Sequence, residues 1–218
     1  MTIEPYFVRF FVIIVSMSRK IILIGGAPTV GKSTIAKALS ARLNLPWIST
    51  DQIRTILQVA ADRDKCPTLF TSDNLCAEDF LNKYSAQEIA KMEYQQGVDV
   101  WPGIKAMISN DWTWRDGCII EGVNIIPKLI AEEYGDKPNI KTIILSDKDE
   151  DRIRSVVYTR GLFGKADGYS DDVKEKEVDW VLLFDKAITD EADKYGNPVV
   201  DIRKNDEDIS RVLRALDV

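Results

Sequence analysis

Short strand-like apolar runs recur along this chain, separated by longer amphipathic stretches. The runs are Ile21–Ile24, Trp47–Thr50, Cys118–Ile120, Thr142–Leu145 and Val199–Ile202. A strand covered on both faces has no polar side to show, so its sequence loses the alternation of a half-exposed strand. The pattern therefore predicts a parallel sheet with helices on both faces. Helices are predicted over 32–43, 52–60, 86–109, 148–159, 171–195 and 206–216. The one starting at Asp171 has Ser170 as its expected N-cap and acids in its first turn, with Gly196 and Pro198 marking its end. The fold class expected is α/β, built around one core.

The segment ahead of the first run reads differently. Residues 1–19 form an N-terminal extension whose stretch YFVRFFVIIV, 6–15, is apolar apart from Arg9. That is shorter than the ~20 residues needed to span a bilayer. It also lacks the basic start and small-residue cleavage site of a signal peptide. Met17 opens MSRKIILIGG, which looks like the start of a cytosolic domain, so residues 1–16 are read as a leader or variable extension, with an extra strand as the alternative.

Composition narrows the chemistry more than the fold. At 218 residues the chain suits one domain, and 45% hydrophobic with 29% charged residues is ordinary for a protein with a real core. A formal charge of −6 argues against general binding to nucleic acid or anionic membrane, while leaving room for a local basic cleft. The chain has no histidine. That excludes Ser-His-Asp and Cys-His nucleophile systems, HExxH zinc sites and any imidazole base. Proton transfer near neutral pH falls to carboxylate, lysine, cysteine, tyrosine or water. Cys66, Cys76 and Cys118 form no CxxC pair, fit a reduced cytosolic protein, and offer no good nucleophile; Cys118 reads as a small core residue.

The strongest motif is IILIGGAPTVGKST, residues 21–34. Gly26-x4-Gly31-Lys32-Ser33 fits the Walker A pattern, with a strand entering the loop and an amphipathic helix leaving it. Glycines let the backbone turn its N–H groups inward onto phosphate oxygens, and the helix adds its positive end. Gly26, Ala27, Pro28, Thr29, Val30, Gly31, Lys32, Ser33 and Thr34 are the expected nucleotide-binding residues. Lys32 reaches the β- and γ-phosphates, and the Ser33 hydroxyl ligates Mg²⁺. An ordinary glycine turn is the competing reading.

Other segments indicate the class of P-loop protein. The only DxxG is Asp193–Gly196, late in the chain, and there is no NKxD, so a GTPase switch is disfavoured. A large motor or AAA-type ATPase would need more chain and an extended strand ending in paired acids. WISTDQIR, 47–54, instead brings Asp51 to the carboxyl edge of the sheet, with Arg54 one helical turn on. Asp51 there can orient an acceptor hydroxyl and take its proton, and Arg54 can hold an acidic group. The alternative makes Asp51 a helix N-cap and Arg54 a solvated residue.

CIIEGVNIIP, 118–127, brings Glu121 beside the loop, where it can hold Mg²⁺ or position the acceptor, and Gly122 allows close approach. An exposed acid at a strand exit is the alternative. Residues 147–172 carry Arg152, Arg154 and Arg160, then a stretch punctuated by Gly161, Gly164 and Gly168. This reads as a lid, 152–170, in which Arg160 is the first choice for stabilising transferred charge and Arg154 the second. A solvated face of alternating charges is the alternative.

GGAPTVGKSTIAKALSARL, STDQIR and IIEGVNIIP together resemble the P-loop small-molecule kinases of the 2-phosphoglycerate kinase-like family, from about Lys20 to the C-terminus. The resemblance implies an adenylate/shikimate kinase-type fold with a five-stranded parallel sheet over a kinase domain at 20–218. It implies transfer of the γ-phosphate of ATP, with Mg²⁺, to a hydroxyl of a small metabolite, 2-phosphoglycerate or another acidic acceptor. By position, Lys32 and Ser33 serve the phosphates and metal, Asp51 and Arg54 the acceptor, Glu121 both, and the Arg160 segment the lid. The adenine would lie near Arg203–Asp206. Archaeal members look as though they carry an extra N-terminal region.

Segment 61–116 is an acceptor-side helical insert rich in aromatics, among them Tyr84, Tyr94, Trp101, Trp112 and Trp114. These would line an acceptor pocket or form a helical mini-core. Gln95, Gln96 and Lys105 are further polar candidates there. The expected protein is cytoplasmic, a monomer or homodimer, with a small-molecule partner and neither nucleic acid nor membrane. A nucleotide-binding regulator, or a nucleoside or antibiotic kinase on the same scaffold, is the competing function.

Overall fold

The computed structural model describes residues 19–71, 75–162 and 165–218. The readings of residues 1–16 and of Gly164 lie outside them. The elements are β1 (Lys20–Gly26), α1 (Lys32–Leu43), β2 (Trp47–Ser49), α2 (Thr50–Ala60), α3 (Ala77–Lys83), α4 (Ala86–Ser109), β3 (Gly117–Glu121), α5 (Pro127–Tyr134), β4 (Ile140–Ser146), α6 (Glu150–Arg160), α7 (Asp171–Lys194), β5 (Val199–Asp201) and α8 (Asp208–Leu216). Short 3-10 turns occupy Pro67–Phe70 and Ala166–Gly168.

The five strands form one parallel sheet in the order β2-β3-β1-β4-β5. Side chains alternate across it, as strand geometry requires. Ile21 and Leu23 of β1 enter a core shared with α2 to α7, while Ile22 and Ile24 enter one shared with α1 and α8. This double burial explains the apolar runs, and Cys118 is buried within the first core as expected. Ile24 of β1, Glu121 of β3 and Ser49 of β2 stand in one row across the sheet, so the loops after these strands open on the same edge.

Two helices were not given bounds by the sequence, although α3 lies within the segment expected to be helical. α5 is eight residues long and starts on Pro127 with Ile126 at its N-cap position, so no polar capping residue announces it. α3 is shorter and is capped by Cys76. Ser170 sits at the N-cap position of α7 as expected but makes no side-chain capping bond, and Gly196 just past its end has φ 71°. Most aromatics of the 61–116 segment turn out to be core or surface residues. Trp101 is buried against Tyr134 and donates to Glu133 at 2.8 Å, Tyr94 donates to Glu191, and Trp112 is exposed. No helix among the described residues is long and apolar enough to cross a membrane.

Candidate active site

The loop between β1 and α1 closes tightly because two of its residues adopt left-handed φ angles, Thr29 at 68° and Gly31 at 99°. Gly26 is needed for close approach as well as conformation: a Cβ there would fall 2.2 Å from the Leu145 carbonyl oxygen of β4. Lys32 folds back over the loop and its Nζ donates to the Ala27 carbonyl at 2.7 Å. Burial pulls its ammonium down to about 8, against the opposing pull of Glu121, Asp51 and Glu93. Ser33 Oγ donates to Glu121 Oε1 at 3.0 Å, and burial holds the Glu121 carboxyl above the usual range.

Ser33 and Glu121 offer hard oxygen donors side by side at the helix start. That set fits Mg²⁺, which takes few protein ligands and keeps phosphate oxygens and water for the rest. Gly122, directly after Glu121, faces Thr50, whose Oγ1 would lie 1.7 Å from a Cβ. Only glycine lets β3 end this close to the start of α2.

The capping of α2 gives the N-cap position to Ser49 rather than Asp51. Ser49 is the N-cap; its Oγ accepts from Asp51 N at 3.2 Å, and Gln52 Oε1 returns a bond to Ser49 N at 3.1 Å. With Ser49 in that role, the Asp51 carboxyl is left exposed on the cavity wall. Arg54 lies on the same wall and is half-buried, its Nη1 donating to Gln96 Oε1 at 3.3 Å.

These groups share one cavity of about 640 Å³ at the carboxyl edge of the sheet. Pro28, Thr29, Gly31, Lys32, Ser33 and Thr34 line one end; Asp51, Arg54, Glu121 and Gly122 line the middle; Arg160 reaches the rim from the end of α6. Gly26, Ala27 and Val30 underlie the loop without lining the cavity. Arg160 makes no ion pair among the described residues.

Arg154 is not brought to the cavity. It turns toward Glu150, Asp151 and Glu175, which fixes α6 against α7 and holds its guanidinium charged. Arg152 is likewise engaged, with Asp147, Asp149 and the Ile202 carbonyl. Of the Arg-bearing stretch 152–170, the first nine residues therefore belong to a packed helix, which meets the cavity through Val156 and Arg160.

Glu93 had no assigned role in the sequence, and Lys204 fell only within the segment expected beside the adenine. Lys204, from the turn after β5, reaches across and donates from Nζ to the carbonyls of Val30 at 2.6 Å and Thr29 at 3.0 Å. These two contacts tie the turn after β5 to the loop. Glu93 of α4 lines the cavity opposite Arg54, one turn ahead of the buried Gln96. Gln96 also accepts from Asn124 Nδ2 and donates to the Thr68 carbonyl, tying the insert to the turn after β3. Of the other polar candidates, Gln95 pairs with Asp99 and Lys105 with Glu133, both away from the cavity.

Residues 20–208 match a family described as an AAA domain. The chain is 28% identical over 201 residues to the 2-phosphoglycerate kinase of Methanocaldococcus jannaschii, covering 90% of this chain and 62% of that one. It is 32% identical over 146 residues to the protein of the same name from Methanothermobacter thermautotrophicus, covering 64% and 47%. The chain thus spans less than two thirds of the length of these relatives. A gluconokinase from Sinorhizobium meliloti shares the fold, with a TM-score of 0.51 at 15% identity over 92% of this chain and 93% of that one. The paired acids of a large AAA motor have no counterpart at β3, where Gly122 follows Glu121.

Proposed function

The chain belongs to the AAA domain family that matches it over residues 20–208, and on that premise we propose that it is an ATP- and Mg²⁺-dependent kinase of a small hydroxyl metabolite carrying an acidic group. One observation carries the reading: a phosphate loop, a Ser33–Glu121 oxygen pair and a free carboxylate, Asp51, converge on one cavity. The names of the relatives make 2-phosphoglycerate the first acceptor to try.

In this reading the loop amides and Lys32 bind the β- and γ-phosphates, and Ser33 and Glu121 hold the metal, which screens phosphate charge when bound. Asp51 aligns the acceptor hydroxyl. Its oxygen bonds to the γ-phosphorus as the bridging O–P bond breaks; ADP keeps that electron pair, and Asp51 takes the hydroxyl proton. Arg54 holds the acidic group of the acceptor. Arg160 meets the charge on the transferred phosphoryl group from the cavity rim. Positioning and electrostatics supply most of the acceleration, as in phosphoryl transfer generally.

The test is ADP release with ATP and Mg²⁺ across phosphoglycerates, sugars, nucleosides and hydroxy acids. We expect release with one acceptor class only, and Lys32→Ala to lower it on the order of 10³-fold. ADP release indifferent to every acceptor would overturn the kinase reading in favour of a nucleotide-dependent regulator.

A further inference from the structure

The acceptor end of the cavity holds a carboxyl that the mechanism above leaves unused. Glu93 projects from α4 into the space faced by Arg54 and makes no hydrogen bond or ion pair among the described residues. Arg54 commits Nη1 to Gln96, while its Nε is buried with no partner. Both side chains also line a recess of about 20 Å³ walled by Phe80, Ile89 and Met92. An acid and a base thus face a common space without pairing. Each retains hydrogen-bonding capacity that a third group placed there would use.

We infer that Glu93 is a specificity-determining residue of the acceptor site: protonated, it donates a hydrogen bond to the acidic group held by Arg54, and ionised, it repels that group. The inference rests on the kinase reading and names how the same site selects its acceptor. An ionised Glu93 would offset the Arg54 charge and set two anions side by side in a partly dry space. A neutral carboxyl would instead add a donor to the arginine's own.

The surroundings set the pH at which this change falls. Burial, opposed by Arg54 and Lys32 and aided by Asp51, leaves the Glu93 carboxyl raised to about 7. Arg160, Lys204 and Glu121 are the other charged groups on the cavity wall, while Phe80 of α3 and Trp180 of α7 bring none. A bound anion raises the same carboxyl further, so acceptor binding takes up a proton.

The experiment measures KM for acceptor and for ATP between pH 6 and pH 8, in the native protein and in Glu93→Gln. The acceptors are 2-phosphoglycerate and glycerate. Glycerate has no group of its own titrating in that range, and any ionisation of ATP or phosphate is common to both proteins. The native acceptor KM should rise about tenfold across the range, as the protonated fraction of a group titrating near 7 falls. In Glu93→Gln it should stay flat, with the ATP KM profile unchanged. Glu93→Ala should be equally flat, with weaker acceptor binding, and stands in if the glutamine variant fails to fold.

An acceptor profile that keeps the native slope in these variants overturns the inference and leaves the kinase reading standing. A flat native profile does the same. Absence of ADP release with any acceptor overturns both.

Discussion

The two ends of the cavity are built by opposite rules. At the phosphate end the two lysines and the Ser33–Glu121 pair already have partners inside the protein, Lys32 on the Ala27 carbonyl and Lys204 on the carbonyls of Thr29 and Val30, while the Thr29 hydroxyl is buried without one. At the acceptor end, Glu93 has no hydrogen bond or ion pair among the described residues, and Arg54 Nε is buried without a partner. Buried polar atoms are rarely left unmatched unless something else completes them. On the proposed reading, the phosphate end is preorganised for the nucleotide, and the acceptor end leaves hydrogen-bonding capacity for the acceptor to use.

Asp51→Asn tests the division most strongly. The substitution keeps the shape of the side chain and spares the Ser49–Gln52 cap, so α2 should stay in place. With the proton acceptor gone, kcat should fall on the order of 10²-fold while ATP KM moves less than about threefold. A large rise in ATP KM with little change in kcat would show that Asp51 belongs to the phosphate end, and the two ends would no longer be separable.

The difference also explains what could be read from the residues in order. The phosphate loop is contiguous, and its chemistry depends on spacing within 26–34, so the motif carried its own geometry. Asp51 and Glu121 were placed for a related reason: each directly follows a short strand-like run in the sequence, and parallel strands deliver their carboxyl ends to one edge. Glu93 lacked any such signal, and the signal at Lys204, just past the last apolar run, pointed to the adenine rather than to the loop. Glu93 lies mid-helix among other polar residues, and its inward direction is apparent only once α2 is seen packed against α4. Lys204 acts on residues about 175 positions earlier in the chain.

Lys204→Met gives a smaller effect, confined to the phosphate end. It removes the charged donor that bonds the two loop carbonyls and keeps most of the side-chain volume. Hydrogen bonds from a charged donor contribute about 1.5 kcal/mol or more, so ATP KM should rise about tenfold, with acceptor KM within twofold. Steady-state titration of each substrate at saturating concentration of the other reads both values. Equal changes in the two would mean that Lys204 shapes the cavity as a whole rather than the loop.

The smallest expected effect separates two arginines that the sequence ranks side by side. Arg154 and Arg160 are six residues apart on α6, which places them about 240° apart around the helix. The first meets Glu150, Asp151 and Glu175; the second reaches the cavity rim. Exposed ion pairs contribute little to stability, about 1 kcal/mol at most. Arg154→Ala should therefore leave kcat within twofold and lower thermal stability only slightly, whereas Arg160→Ala should lower kcat at least tenfold with the fold intact. The reverse result would mean that α6 turns when substrates bind, exchanging its packed face for the one now at the rim. Arg154 would then have to leave its three acidic partners to reach the phosphoryl group, a rearrangement that loss of Glu175 should make easier. Measuring kcat for Glu175→Gln therefore completes the comparison, since a fixed helix predicts no gain.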